Sequence, residues 1–194
     1  MPRRRDVDEQ RERLSAATWS VLAEQGLTGL TLRAVAERAG CTTGLLMHTF
    51  ADKRALLLHA RALLHERAAR SAEAAEASTA DPAGRLRAVL HQAACLTPAK
   101  REDARVWLAF LAAAAADEEL AAAHREGNRV FVRRIERLLG EAHPGLPRPR
   151  RAARARGLVA LVEGLNSLAA VDPATYPARA QTAAIDDAVD AATS

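Results

Sequence analysis

The chain has 194 residues, of which 49% are hydrophobic and 27% are charged, a balance that supports a buried core and excludes an intrinsically disordered chain. Its 28 basic and 24 acidic side chains give a net charge of +4. The longest apolar run, Val106–Ala116, is shorter than the roughly 18 residues that a membrane-spanning helix needs. The charged N-terminus has no secretory pattern, so we expect a cytoplasmic protein with no membrane partner.

The composition is typical of a helical protein. Aromatic residues make up 3% of the chain, and glycine and proline are limited to 10 and 8 residues. Alanine and leucine dominate over β-branched residues, which favours helices over strands. The two cysteines, Cys41 and Cys95, match no metal-ligand spacing and no disulfide framework. We therefore predict an all-α fold without a metal site or a cofactor.

Three helices are predicted at the N-terminal end, each marked by a threonine cap or a terminating glycine. The predicted limits are residues 7–25 before Gly26, the segment from Thr31 to Gly40, and the segment from Thr42 or Thr43 to Phe50. Apolar residues recur at intervals of three and four in each segment, which indicates one buried face per helix.

The rest of the chain predicts six further helices. Capping residues, two of them followed by proline, mark where these helices begin, and three prolines and a glycine between His143 and Pro149 mark a loop. The predicted helices begin at Lys53, Pro82, Pro98 and Asp117, and the last two cover residues 150–171 and 177–192. The fold is therefore about nine helices, which we divide into an N-terminal three-helix domain, 7–52, and a helical body, 53–194.

The segment Thr31–Phe50 has the layout of a helix-turn-helix, in which a capped helix, a tight turn at Gly40 and a short outer helix follow one another. Gly44 lets the backbone approach a DNA groove closely, and Arg33 and Lys53 stand where positive charge can hold phosphates. The predicted DNA-contacting residues are Arg33, Thr42, Thr43, Gly44, Leu45, Met47, His48, Thr49 and Lys53.

Positive charge is concentrated near the N-terminus. Residues 1–61 contain 10 basic and 7 acidic side chains, whereas residues 62–194 contain 18 and 17. A basic N-terminal part is typical of nucleic-acid binding, although an arginine-rich composition also arises in proteins from GC-rich genomes. The run Arg3, Arg4 and Arg5 either lies along a DNA groove or is a solvated, mobile tail.

The N-terminal helices contain several motifs in a fixed order: a Gly-Leu-Thr run, a helix with valine and alanine, and a small-residue helix that ends in histidine and phenylalanine before a lysine. The positions are Gly29, Leu30, Thr31, Val35, Ala36, Ala39, Gly40, Thr42, Gly44, Leu46, His48, Phe50 and Lys53. Together they resemble the N-terminal domain of the tetracycline-repressor (TetR) family over residues 11–58. Many family members have lysine at the position of Thr43, tyrosine at that of Met47 and an aromatic residue at that of Thr49. We therefore expect less dependence on the hydrogen-bonding side chains of this helix.

The body also carries a resemblance. The segment RVWLAFLAAAAADEELAAAHREGNRVFVRRIERLL is similar to the C-terminal domain of the betaine-regulator (BetI-like) branch. The resemblance implies a DNA-binding regulator, in particular a repressor, that binds a palindromic operator as a homodimer. It also implies a ligand-binding and dimerisation body, in which an unknown small-molecule inducer shifts the helix that begins at Lys53 and so separates the two recognition helices from their half-sites.

Apolar stripes on the last two helices are candidates for the seam between two copies. The predicted dimer-interface residues are Leu158, Val162, Leu165, Ala169, Ile185 and Val189. The alternative is that these side chains form the chain's own core.

Polar and aromatic residues within apolar stretches of the body are candidates for the ligand pocket. They are His91, Cys95, Trp107, Phe110, Asn128, Phe131, Glu163 and Asn166. Trp107 and Phe110 lie one helical turn apart, and Glu163 and Asn166 need partners if they are buried. The alternatives are plain core for the aromatic residues, and a dimer partner or solvent for Glu163 and Asn166.

Two other classes of function fit the sequence less well. The six histidines show no metal-ligand spacing, and the chain has no glycine-rich phosphate loop, so we predict no catalytic residue and no enzyme. A helical adaptor that binds only other proteins is the alternative function. It would leave the helix Thr42–Thr49 and its flanking Arg33 and Lys53 without a purpose.

Overall fold

The computed structural model describes residues 4–194, with side chains from residue 9 onward. Those residues form nine α-helices and no strand, so the prediction of an all-α fold with about nine helices is confirmed. The helices are α1 (Arg4–Gly29), α2 (Leu32–Ala39), α3 (Thr43–Thr49), α4 (Lys53–Ala77), α5 (Pro82–Ala93), α6 (Pro98–Ala114), α7 (Glu118–Ala142), α8 (Arg148–Val171) and α9 (Ala178–Thr193). The side chains of the predicted arginine arm, residues 3–5, lie outside the described residues.

The helix ends follow the capping signals in the sequence. Thr42 Oγ1 accepts a hydrogen bond from Leu45 N at 3.2 Å, so Thr42 rather than Thr43 caps α3. Thr31 caps α2 in the same way. Gly40 ends α2 with a φ of 63°, a left-handed backbone conformation that glycine adopts without strain.

Several helix limits differ from the prediction by one to four residues, and two of these differences have a local cause. Gly26 has a φ of 65° and a ψ of −168°, so the regular helix is interrupted where it was predicted to end, but a further helical turn continues to Gly29. Helix α8 begins at Arg148 rather than at residue 150. Pro149 stands in its first turn, where a missing N–H leaves no helical hydrogen bond unmade, so the preceding loop is shorter than predicted.

The chain packs as two compact units. Unit 1 contains the residues up to Glu66 and Arg105–His124, and unit 2 contains Arg67–Ala104 and Arg125–Ser194. Packing therefore divides the chain differently from the functional boundary predicted between residues 52 and 53. The physical reason is that side chains from the first half of α4 and from α6 join the same buried cluster as those of α1, α2 and α3.

Two histidines of α4 in unit 1 favour the neutral form. Burial lowers the pKa of His59, and Arg11 lowers it further against an opposing effect of Glu66. Burial and then the charge of Arg61 lower the pKa of His65. Because the unfolded chain binds these protons at a higher pH, near 6.5, the folded state loses stability as the pH falls through that value.

We therefore expect the Tm to fall on acidification from about pH 7 to about pH 5.5, and to fall less in a His59→Gln/His65→Gln variant. Circular-dichroism melting curves at several pH values check this expectation. Equal pH dependence in the two proteins would contradict it.

An ion-pair network in unit 2 holds the end of α4 to α7. Glu76 accepts hydrogen bonds from Arg134 at 2.7 Å and from Arg137 at 2.6 Å. Glu141 accepts hydrogen bonds from Arg137 at 2.6 Å and from Arg85 of α5 at 3.0 Å. The side chains of Glu76 and Arg134 are each 18% exposed, so solvent screens their attraction less than that of a surface pair.

Within residues 4–194, every helix is too short or too polar to span a bilayer. The same part of the chain contains no group of three or more His, Cys, Asp or Glu side chains placed to hold a metal ion. Cys41 is half-buried and Cys95 is buried, and neither forms a disulfide bond.

Candidate nucleic-acid interface

Helix α3 is anchored in unit 1 by one fully buried side chain. Leu46 is 0% exposed and is the only buried residue within the helix. It belongs to the same buried cluster as Leu14 of α1, Val35 of α2 and Phe50. The Phe50 N–H, just after the helix, donates to the Leu46 carbonyl at 2.8 Å. One side of α3 thus enters the core, and the opposite side faces solvent.

Eight of the nine predicted DNA-contacting residues are exposed. They are Arg33, Thr42, Thr43, Gly44, Leu45, Met47, His48 and Lys53. The ninth, Thr49, is half-buried: it accepts a hydrogen bond from Gln10 Nε2 at 3.3 Å and donates one to the Leu45 carbonyl at 3.1 Å. Thr49 therefore ties α3 to α1. Sequence analysis missed Gln10, because 39 positions separate the two residues and no local pattern links them.

Lys53 has a fixed position at the start of α4. Its Nζ donates a hydrogen bond to the Leu27 carbonyl at 2.9 Å, which places the ammonium group beside the last turn of α1. The residue is nevertheless exposed. Since a lysine ammonium has three donors, this contact leaves donors for a phosphate oxygen.

Two further arginines tie helices of unit 1 together, and sequence analysis singled out neither. Arg38 of α2 donates to Glu24 of α1 at 2.7 Å, and this hydrogen bond lowers the pKa of the Glu24 carboxyl. Arg54 of α4 lies 3.1 Å from a carboxylate oxygen of Glu119 and 3.7 Å from one of Asp117. These contacts attach α2 to α1, and the first turn of α4 to the start of α7.

Trp107 and Phe110 come together in unit 1, with 5.9 Å between ring centroids. The Arg61 guanidinium lies 4.4 Å from the Trp107 centroid and is 7% exposed. These three side chains help to line a cavity of about 10 Å³, which is room for about one water molecule. Sequence analysis missed Arg61. Its spacing, four residues after Leu57 and three before Leu64, is the signal that it lies on the apolar face of α4.

Cys95 and Asn166 come together in unit 2 through the backbone. Asn166 Oδ1 accepts a hydrogen bond from the Cys95 N–H at 2.6 Å, and Asn166 Nδ2 donates to the Ala93 carbonyl at 3.0 Å. Gln181, 1% exposed, donates to the Cys95 carbonyl at 3.2 Å. The two amides hold the turn between α5 and α6 to α8 and α9. Sequence analysis missed Gln181, although it lies four residues before Ile185 on the inner side of α9.

The other predicted pocket residues lie apart from these two groups. His91 Nε2 is 3.0 Å from a carboxylate oxygen of Asp186, and Phe131 packs on the core of unit 2. Asn128 is exposed and Glu163 is half-buried. Trp107 and Phe110 thus belong to unit 1, and the remaining six candidates belong to unit 2.

Five of the six predicted dimer-interface residues are enclosed by the chain itself. Buried at 5% exposure or less are Leu158, Val162, Ala169, Ile185 and Val189. The sixth, Leu165, is half-buried against the core of unit 2. Their burial agrees with the alternative given above, that these side chains form the chain's own core. Side chains that fill the chain's own interior present no surface to a partner.

The opposite side of α8 carries small and apolar residues at intervals of three or four positions. This α8 stripe consists of Ala153, Gly157, Ala160, Gly164, Leu168 and Val171. Leu168 is 47% exposed and Val171 is 79% exposed. A Cβ added at Gly157 or Gly164 would meet nothing within 4 Å. Sequence analysis missed this stripe, because the larger residues on the other side of the helix dominate the apolar pattern.

Two family models match the chain. Residues 14–60 match the model of bacterial regulatory proteins of the tetR family. Residues 82–194 match the C-terminal model of BetI-type transcriptional repressors. The two matched segments contain most of the three-helix domain and most of the body.

Curated relatives cover most of the chain. The HTH-type transcriptional regulator BetI of Stenotrophomonas maltophilia (strain R551-3) is 32% identical over 166 residues, which are 85% of this chain and 83% of that protein. The regulator of the same name from Burkholderia mallei (strain NCTC 10229) is 35% identical over 167 residues, 85% of this chain and 84% of that protein.

Solved structures share the fold. A transcriptional regulator from Rhodococcus sp. Rha1 is 32% identical and superposes with a TM-score of 0.85, covering 93% of this chain and 94% of that one. A protein from Saccharomonospora viridis, described as a candidate transcriptional regulator and solved in complex with choline, has a TM-score of 0.84 at 20% identity. The superposition covers 94% of this chain and 96% of that one. At this identity the similarity concerns the fold alone.

The family models and the relatives agree with the helix-turn-helix geometry of α2 and α3, and the resemblance seen in the sequence is confirmed. They describe transcriptional regulators, and they support neither an enzyme nor a protein-only adaptor. The chain therefore belongs to the TetR family of bacterial transcriptional regulators, with a BetI-type C-terminal domain.

Proposed function

We propose that this regulator is a repressor that binds a palindromic operator as a homodimer and leaves it when a small molecule binds. Residues 7–52 would contact the DNA, and residues 53–194 would bind the ligand and the second protomer. The observation that carries the proposal is the exposed side of α3, held outward by the buried Leu46. A single helix of this kind fits the major groove of B-DNA.

The remaining predicted contacts suit the phosphates on either side of that groove. Arg33 is exposed in the first turn of α2, and Lys53 is exposed at the first residue of α4. Positive charge and the N–H groups of a helix N-terminus both attract phosphate oxygens. Such contacts fix the position of α3 on the duplex but do not read its sequence.

Fluorescence anisotropy tests the proposal directly. The purified protein is titrated onto a labelled duplex from immediately upstream of its own gene and onto a shuffled duplex, over a series of salt concentrations. We expect tight binding to the first duplex, weaker binding to the second, and weakening of both with salt. Absence of binding to either duplex at low salt would contradict the proposal and favour the adaptor.

Replacement of Lys53 by alanine should weaken binding to every duplex and reduce the slope of log affinity against log salt by about one. The reason is that a phosphate contact releases a counterion whatever the base sequence. Arg67→Ala is the matched control. It removes an exposed positive charge from the same helix, about 21 Å further along its axis. If Lys53→Ala changed neither affinity nor slope, the placement of α4 on the DNA backbone would be wrong.

The α8 stripe is our candidate for the dimer seam, in place of the buried residues first predicted. Small residues let two helices approach closely, and the stripe repeats at the intervals that keep one helix face against a partner. In the monomer the apolar side chains of Leu168 and Val171 are exposed to water. In the dimer they would be buried against the partner, which is favourable.

The candidate ligand site in unit 1 is the cavity beside the aromatic pair Trp107 and Phe110. One structural relative holds choline, and quaternary ammonium ligands bind the faces of aromatic rings. In this chain the Arg61 guanidinium already lies over Trp107. A second cation on that ring would meet the like charge of a guanidinium that is 7% exposed. We therefore propose that a ligand at this site, which must enlarge the cavity of about 10 Å³ to enter, is neutral or anionic.

Intrinsic fluorescence tests this proposal, because both tryptophans of the chain, Trp19 and Trp107, line the same cavity. We expect millimolar choline to leave the emission of the wild-type protein unchanged. An Arg61→Met variant, which frees the ring face without adding charge, should respond more strongly. A saturable change in the wild-type protein would contradict the proposal.

We also propose that ligand binding acts through α4, which begins at Lys53 and contributes residues to both units. A shift of this helix would change the separation of the two α3 helices in the dimer and remove their match to half-sites about one helical turn apart. Spin labels on α3 of both protomers, measured with and without the inducer, test it. An unchanged distance distribution in a protein that releases DNA would contradict it.

A further inference from the structure

The exposed side of α3 has an unusual chemistry for a helix that reads DNA. Its sequence, TGLLMHT, contains no Arg, Lys, Asn or Gln, which are the side chains that make paired hydrogen bonds with guanine or adenine. Thr49 already makes hydrogen bonds within unit 1. The groove-facing surface thus depends on other groups for its discrimination between bases.

Two large apolar side chains occupy that surface. Leu45 is 37% exposed and Met47 is 57% exposed, and both are among the few large apolar residues exposed in the described part of the chain. Neither packs in the buried core of unit 1. In water this exposure is unfavourable, so a partner that covers these side chains with apolar groups gains free energy.

The helix geometry brings these side chains to a groove. Successive residues turn by about 100°, so Gly44 and His48 lie opposite the buried Leu46, and Leu45 and Met47 lie on either side of them. A Cβ at Gly44 would meet only Thr42 Oγ1, at 3.9 Å. The backbone can therefore approach the base edges closely along the line between Leu45 and Met47.

The major groove offers one apolar group for such side chains, the 5-methyl group of thymine. The flanking positive charges at Arg33 and Lys53 favour DNA over a protein partner with an apolar surface. We propose that this protein reads thymine methyl groups through Leu45 and Met47, so that each half-site of its operator carries thymines at the positions these side chains reach. The inference rests on the proposed operator binding and adds the chemistry of its readout.

Substitution of deoxyuridine for thymine tests the inference, because it removes the methyl group and leaves base pairing unchanged. A duplex is first obtained by selecting tight binders to the wild-type protein from a random DNA pool. Each thymine of one half-site, together with its symmetry mate, is then replaced by deoxyuridine, and affinity is measured by anisotropy. We expect one or two positions at which the loss is about fourfold per methyl group, and no change at the others.

Protein variants identify the side chains responsible. In Leu45→Ala or Met47→Ala, deoxyuridine at the corresponding position should no longer weaken binding, since the contact is already lost. Val130→Ala is the matched control, because it also removes an exposed apolar side chain, 40% exposed, but belongs to unit 2, and it should keep the full sensitivity. Both test residues are exposed, so the variants should fold, and their circular-dichroism melting curves check this.

The outcomes separate the two proposals. Sequence-specific binding that is insensitive to every deoxyuridine substitution would overturn the thymine readout and leave the proposed function intact. Selected half-sites without thymine would do the same. A protein from which no preferred duplex can be selected would overturn both.

Discussion

Replacement of Leu46 by alanine is expected to lower the free energy of unfolding by about 2 to 5 kcal/mol and to abolish operator binding. Leu46 is 0% exposed and is the only side chain of α3 that is buried. Its removal leaves a space beside Leu14, Val35 and Phe50 and frees the helix from the domain. A recognition helix that is no longer held in one orientation cannot keep its contacts in the groove.

Chemical denaturation followed by circular dichroism measures the loss of stability, and anisotropy measures the loss of binding. Met47→Ala is the control, because Met47 lies on the same helix but is 57% exposed. Its effect on stability should stay within about 0.5 kcal/mol. If Leu46→Ala were as stable as Met47→Ala, α3 would not be anchored as described.

Replacement of Ala160 by arginine is expected to split the dimer and to weaken operator binding by a factor of about 100 or more. Ala160 lies in the middle of the α8 stripe and is exposed in the single chain. A charged, long side chain there would have to be buried without a partner in a seam built for small residues. A monomer would then bind one half-site at a time and lose the effective concentration that linkage of two sites provides.

Light scattering after size exclusion measures the oligomeric state, and anisotropy measures operator affinity. Ala74→Arg is the matched control, since Ala74 is also an exposed alanine within a long helix. Ala74→Arg should stay dimeric and melt near the wild-type Tm, whereas Ala160→Arg should be a folded monomer with a lower Tm, because it loses the stabilisation that association provides. A dimeric Ala160→Arg protein would exclude the α8 stripe as the seam.

Helix ends were predictable because capping is local. The hydroxyl of Thr42 and the N–H of Leu45 are three residues apart, and the left-handed turn at Gly40 involves its immediate neighbours. Such signals act within one helical turn and are visible in any short window of sequence. The same locality explains why the start of α8 was missed by only two residues, since Pro149 is compatible both with a loop and with a first helical turn.

The outward side of α3 was predictable for a related reason. Leu46 and Phe50 are the apolar pair at helical spacing in that segment, so the other residues of α3 were expected to face outward, and all of them except the half-buried Thr49 are exposed. The contacts that position the site were not predictable. The hydrogen bond from Gln10 to Thr49 and that from Lys53 to the carbonyl of Leu27 join separate helices, and no local rule specifies which helices meet.

In the body, the contacts expected from the sequence pattern and the contacts in the structure differ most. Asn166 was expected to need a partner, and its partner proved to be the backbone at Ala93 and Cys95, more than 70 positions away. The larger apolar residues of α8 and α9, such as Val162 and Ile185, fill the interior of unit 2. The periodicity of apolar residues shows that one face of a helix is apolar. It does not show whether a second protomer or the same chain covers that face.

The sequence by itself thus determined an all-α chain, most helix ends and the helix-turn-helix, because these depend on composition and on residues within a turn or two of each other. The family followed from the resemblance of its motifs to those of known regulators. Only the tertiary structure decided that Arg61 covers Trp107, that Gln181 is buried, and that the α8 stripe is left exposed. These features depend on which distant helices pack together, and that choice is made by the whole core at once.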